Sequence, residues 1–117
     1  MNANVNSKTV QILRQLGLSR PLAHTIAYLS EVRTATSREI DRATGLRQPE
    51  VSRACVDGKK RGWIKTEQER GGRLGRPINV YSLALPYREI MKQIEDEKLL
   101  ESDRTQRLID AARGQTA

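Results

Sequence analysis

Between residues 36 and 83 the punctuation of the chain leaves few folds open. Thr36-Ser37-Arg38-Glu39 places a hydroxyl at a helix N-cap and a carboxylate three residues on, the reciprocal box that starts a helix. Ile40 and Ala43 then turn inward, and Gly45 stops the helix with Leu46 tucked beneath the turn. A second helix opens at Gln48-Pro49-Glu50, where proline suits the first turn and the carboxylate suits the positive helix end. Two helices joined by about three residues including a glycine form a helix-turn-helix. Gly62-Trp63-Ile64 leads out into a strand from Trp63 to about Glu69, with Ile64, Thr66 and Gln68 on one face. A return strand runs from Ile78 to Leu83. Between them, Arg70-Gly71-Gly72-Arg73-Leu74-Gly75-Arg76-Pro77 reads as a hairpin loop, the wing of a winged helix-turn-helix.

The flanking segments complete a mainly α fold with a small β-hairpin and a long C-terminal helix. Residues 1–7 are expected to be flexible. Val10, Ile12, Leu13 and Leu16 predict a short amphipathic helix from Lys8, ended by Gly17. Ser19 caps a helix to about Val32, with Pro21 in its first turn and Leu22, Ile26 and Leu29 at helical spacing. The expected divisions are a winged domain over 8–84, a C-terminal helix over 85–113 opened by Pro86, and a flexible tail over 114–117. In that last helix Tyr87, Ile90, Met91 and Ile94 begin an apolar stripe, and Leu99, Leu100, Leu108 and Ile109 follow unevenly. Acidic interruptions near 95–97 and 101–103 argue against a long regular coiled coil. The helix is the candidate dimerisation element, with an intramolecular strut as the alternative.

Charge follows the same division. The chain of 117 residues has a net charge of +7. Residues 1–83 hold 15 Lys and Arg against 7 Asp and Glu, and residues 84–117 hold 6 against 7. The positive charge therefore belongs to the winged part, as for a protein that meets a polyanion. One cysteine, Cys55, excludes an internal disulfide, and one histidine, His24, far from it makes no zinc pattern. No metal or cofactor is expected. No apolar run approaches the roughly 20 residues of a membrane span, and residues 1–8 lack the apolar core of a signal peptide. The expectation is a cytoplasmic, nucleoid-associated protein.

These residues resemble archaeal winged-helix transcriptional regulators. The resemblance lies in Leu16-Gly17-Leu18-Ser19-Arg20-Pro21-Leu22-Ala23, in Ala35-Thr36-Ser37-Arg38-Glu39-Ile40, in Arg61-Gly62-Trp63-Ile64 and in Gly75-Arg76-Pro77-Ile78-Asn79-Val80-Tyr81. Its most specific segment is Leu46-Arg47-Gln48-Pro49-Glu50-Val51-Ser52, and the architecture is similar to that of MarR- and TrmB-like regulators. The resemblance covers about residues 10–100. It implies a DNA-binding dimer with helix 48–61 as the recognition helix and 70–77 as the wing. One position departs. Gly58 stands where such helices usually carry an inward Leu, and glycine in a helix lowers stability by roughly 1 kcal/mol. The last turn, Gly58 to Arg61, is accordingly expected to be loose or kinked.

With Val51, Ala54 and Cys55 facing inward, the outward set of the recognition helix is Gln48, Pro49, Ser52, Arg53 and Val56. Arg53 suits bidentate bonding to guanine, Gln48 to adenine, and Ser52 a base or a phosphate. Arg38 and Arg47 sit near helix starts, where cations are unfavourable, and so lean towards phosphate. Lys59, Lys60 and Arg61 are phosphate candidates too, although cations also stabilise a helix C-terminus. Arg70, Arg73 and Arg76 gain nothing internally from an exposed glycine-rich loop and suit a narrow minor groove; the plainer reading is a solubilising loop. Cys55 reads as a small core residue and His24 as a packed or surface one.

The leading expectation is a sequence-specific regulator of double-stranded DNA acting as a homodimer, with any small-molecule effector invisible in the sequence. The rival is a winged-helix interaction module that docks a polymerase or replication subunit without reading sequence. RNA binding is weaker, because three Tyr and one Trp offer little stacking surface for single strands. No nucleophile–base pair, metal cluster or phosphate loop points to an enzyme.

Overall fold

The computed structural model describes residues 6–71 and 73–116, without the side chains of Arg73 and Thr116. Five helices are formed: α1 (Ser7–Gln15), α2 (Arg20–Glu31), α3 (Ser37–Thr44), α4 (Gln48–Lys60) and α5 (Tyr87–Thr116). Three strands, β1 (Ala35–Thr36), β2 (Ile64–Arg70) and β3 (Pro77–Leu83), pair antiparallel in the order β1-β3-β2. Residues 1–87 form one compact unit and residues 88–117 a second.

Local chemistry accounts for the breaks. Asn6 Oδ1 accepts from the backbone N–H groups of Lys8 and Thr9 to start α1. Gly17, at φ 103°, ends it, with Gly17 N–H bonded to Arg14 O and Leu18 N–H to Leu13 O. Ser19 caps α2 through Leu22 N–H. The box at α3 is complete: Thr36 N–H donates to Glu39 Oε1 at 2.8 Å and Glu39 N–H to Thr36 Oγ1 at 3.2 Å.

The core of the first unit is aliphatic around one large ring. α2 is its centre, burying Leu22, Ala23, Thr25, Ile26, Ala27, Tyr28 and Leu29 while packing against α1, α3, α4 and β3. Leu13, Ile40, Leu46, Val51, Trp63 and Ile64 close the core. Each such large side chain contributes roughly 1.5–3 kcal/mol on burial, which makes a core without phenylalanine workable.

Several expectations change. The sheet has a third strand, β1, which pairs Ala35 with Tyr81 and Thr36 with Val80. Ile12, placed in the stripe of α1, is exposed, because Val10 and Leu13 alone turn inward. The helix over 85–113 starts one residue after Pro86 and continues to Thr116, so residues 114–116 are helical. Of the stretch 1–7, Asn6 and Ser7 are a cap and a first turn, and residues 1–5 lie outside the described residues, as does Ala117.

Candidate nucleic-acid interface

The start of α4 is fixed from three directions. Arg47 N–H donates to Glu50 Oε1 at 3.0 Å. Arg20, at the head of α2, reaches Glu50 Oε2 at 2.8 Å. Gln48 Nε2 donates to Ser37 O at 3.2 Å and to Asp41 Oδ2 at 3.0 Å, across the turn into α3. The backbone bond from Arg47 holds the Glu50 carboxyl below its usual range; burial opposes it, and the neighbouring positive charges of Arg20, Arg47 and Arg53 add to the lowering. The carboxylate is therefore ionised and available as a clamp throughout the neutral range.

In the free chain Gln48 is engaged between the two helices. Reading adenine needs an amide N–H donated to N7, and both Nε2 protons of Gln48 here serve α3. The side chain is exposed, yet it acts as a brace between the two helices. The sequence carried no local signal for this, because Asp41 stands seven residues away on another helix.

Past the brace, α4 presents a clean face. Val51, Ala54 and Cys55 are buried, and Pro49, Ser52, Arg53 and Val56 are exposed at spacing i, i+3, i+4, i+7. A groove lies on each side of this ridge. One, of about 570 Å³, is bounded by Ser19, the cap of α2, and by Pro21 together with Ser52, Arg53, Ala54, Val56, Asp57 and Lys60. The other, of about 180 Å³, is bounded by Ser52, Val56 and Lys59 with Thr66, Asn79 and Tyr81 of the hairpin. Consecutive lysines thus serve opposite grooves. The hairpin wall of Thr66, Asn79 and Tyr81 was not singled out in the sequence, since short polar strand residues carry no mark of what they face.

The end of α4 is tight and not loose. Gly62 takes φ 78°, Gly62 N–H bonds Lys59 O at 3.0 Å, and Trp63 N–H bonds Gly58 O at 2.9 Å. These two bonds are the Schellman closure of a regular helix. Gly58 is buried because Ile64 of β2 lies over it: a Cβ there would meet Ile64 Cδ1 and stand 2.7 Å from its Cγ1. The glycine that looked like a weakness lets β2 lie against α4. Arg61 has partners within the fold. Its Nε bonds Asp57 Oδ1 at 3.0 Å and its guanidinium lies 4.9 Å from the centroid of the Trp63 ring, so it seals the exit of α4. Asp57 at i−4 was the available signal. Arg38, Arg47, Arg53, Lys59 and Lys60 are exposed.

In the wing, the register runs from Ile64 opposite Leu83 to Arg70 opposite Pro77, and a short 3-10 turn, Arg73–Gly75, forms the tip. Arg70 and Arg76 are exposed; the side chain of Arg73 lies outside the described residues. Leu74 is 93% exposed and adopts φ 59°.

Cys55 is buried, and burial pushes its thiol up to about 11. Burial, reinforced by Arg20 and Arg14 and partly opposed by Glu50, lowers His24 below 6.5. Among the described residues no group of His, Cys, Asp and Glu could hold a metal ion, and no helix is long and apolar enough to cross a membrane. In α5, Ile90 and Ile94 are buried and Tyr87 and Met91 partly so, whereas Leu99, Leu100, Leu108 and Ile109 are exposed.

Comparison with known proteins agrees with this geometry. A family model described as the MarR family matches residues 16–74. No curated protein matches the chain. Among solved structures, the chain is similar to a possible transcriptional regulator from Methanosarcina mazei Go1, with TM-score 0.67 and 16% identity over 94% of this chain and 97% of that one. It is similar to TrmBL2, an archaeal chromatin protein whose structure is described as showing a novel mode of DNA binding, with TM-score 0.54 and 15% identity over 89% of this chain and 40% of that one. It is also similar to MepR from S. aureus, solved in complex with DNA, at TM-score 0.49 and 22% identity over 87% of each chain. The family match takes in just over half of the sequence, from the end of α1 through α3 and α4 to the tip of the wing, and the chain belongs to the MarR family, a family of DNA-binding regulators and not of enzymes.

Proposed function

We propose that the protein is a homodimeric transcriptional regulator that reads a specific double-stranded DNA sequence with α4 in the major groove and its wing on the adjacent minor groove or backbone. The observation that carries this reading is the ridge of α4 standing between two grooves with a lysine in each. A helix lying in a major groove has a sugar–phosphate strand on either side, and phosphate contacts fix its register while the ridge meets base edges. Ser19 and Lys60 face one strand, and Lys59 with the hairpin wall faces the other.

Within this reading Arg53 bonds guanine O6 and N7, Ser52 contacts a neighbouring base or phosphate, and Pro49 abuts a base edge. Arg38 and Arg47 approach phosphates at the N-terminal ends of α3 and α4. Arg70, Arg73 and Arg76 follow the minor groove or its backbone. Gln48 contributes indirectly, by holding α4 at its angle to α3. The exposed leucines of α5 and Ile109 form the dimer contact.

Selection of bound fragments from random duplexes, followed by footprinting at two salt concentrations, tests the reading. A retained consensus with two related half-sites about one DNA turn apart is expected. Affinity should fall by roughly 10³–10⁵ between 50 and 200 mM salt if about 6–10 phosphates are contacted. Absence of any enriched sequence, with capture of protein partners instead, would favour a docking module.

A further inference from the structure

The recognition helix carries one apolar side chain that the fold leaves unused. Val56 is 52% exposed, while Val51, Ala54 and Cys55 of the same helix are buried. It stands one turn beyond Ser52, and these two residues alone border both grooves that flank α4. A side chain that borders both lies on the crest between them, towards base edges and away from phosphates.

We propose that Val56 is a specificity residue that packs against the 5-methyl group of a thymine in the major groove. The proposal rests on the DNA-binding reading above and deepens it. Among the four bases only thymine presents an apolar group on its major-groove edge, and apolar side chains are its complement. Valine is suited to this contact. Its branched Cβ holds one χ1 rotamer in about nine helical cases of ten, so both methyls are set before binding and little freedom is lost. Within the free chain the exposed methyls contribute nothing, and β-branching is mildly unfavourable in a helix. Their gain comes when a partner removes them from water. The partner must be apolar at that point although it is polar on either side, where Ser52, Arg53, Lys59 and Lys60 lie. The methyl edge of thymine, set between phosphate strands, has that pattern.

The test uses a duplex obtained by selection with the full chain. Each thymine is replaced singly by deoxyuridine, which removes the methyl and keeps every hydrogen-bonding group. Binding is measured for the wild type and for Val56→Ala, whose fold is checked by thermal melting. The wild type should lose about 4- to 14-fold in affinity at one thymine per half-site, the value of burying one to two methyl groups. Val56→Ala should bind the thymine and uracil duplexes equally at that position, while keeping its response at every other position. If Val56→Ala abolishes no individual thymine preference, the proposal is overturned and the DNA-binding reading stands. If the wild type retains no duplex even at low salt, both fail.

Discussion

Ile64 of β2 lies directly on Gly58 of α4, so closely that a methyl group at Gly58 would overlap its Cδ1. Helix propensity and packing therefore disagree about Gly58→Ala. Propensity alone favours alanine by about 1 kcal/mol. Overpacking a buried contact costs about 1–3 kcal/mol. The substitution should lower stability by about 1 kcal/mol net, measured by urea unfolding. Adding Ile64→Val removes the overlapping Cδ1 and should recover part of the loss. A more stable Gly58→Ala protein would show that the strand yields readily.

Gln48→Ala and Arg53→Ala should separate in their effects on DNA. Loss of the bonds from Gln48 to Ser37 O and Asp41 loosens the mounting of α4. Affinity should then fall by similar factors on cognate and altered sites, with stability lower by about 1–2 kcal/mol, the net worth of two exposed bonds. Arg53→Ala should instead relax preference at one base pair per half-site. A full matrix of single-base variants measured with both proteins distinguishes the patterns.

Cys55 should be unreactive towards a thiol reagent at neutral pH in the native protein and fast once the protein is unfolded. Its folded pKa, about 11, exceeds the ordinary 9.0 because burial disfavours the thiolate. A raised pKa of this kind gives stability that is complete below pH 9 and lost as pH rises through about 11. Unfolding midpoints over that window should fall more for the wild type than for Cys55→Ala.

His24 gives the opposite slope at acid pH. Burial first, then Arg20 and Arg14, disfavours its protonated form. The folded chain then binds fewer protons than the unfolded one just below pH 6.5, so stability present above 6.5 is lost as pH falls. His24→Gln should flatten that part of the profile in urea titrations, without moving the midpoint much above pH 7.

Leu108→Asp with Ile109→Asp should yield monomers in sedimentation experiments and weaken binding to a two-half-site operator far more than to a single half-site. Nine residues at about 100° each place Leu108 roughly opposite Leu99 around α5. A dimer contact that uses both leucines covers more than one side of the helix, and in that case Leu99→Asp should also impair assembly.

The sequence was most legible where a signal is local. The Thr36–Glu39 box, the stops at Gly17, Gly45 and Gly62, and the inward set of Val51, Ala54 and Cys55 each depend on neighbours within a turn. It was least legible where the partner is remote. Gly58 reads as a defect until Ile64 is placed over it. The bond from Gln48 to Asp41 becomes visible only when α3 is packed beside α4. A strand of two residues, Ala35 and Thr36, has no period to detect, and only its pairing with β3 reveals it. Arg61 lay between these cases, because Asp57 at i−4 was visible but its stacking on Trp63 was not.

Thr36 belongs to two elements at once. Its backbone N–H is held by Glu39 and its hydroxyl starts α3, while its Cα lies opposite Val80 in the sheet. The hairpin is thereby joined to the first turn of α3, the helix that precedes α4. Together with the Ala35–Tyr81 pair and the seat of Ile64 on Gly58, this shared residue ties the spacing of the wing and α4 to the packing of the fold. Operators with one base pair inserted between the regions touched by α4 and by the wing should be rejected even when both regions are intact.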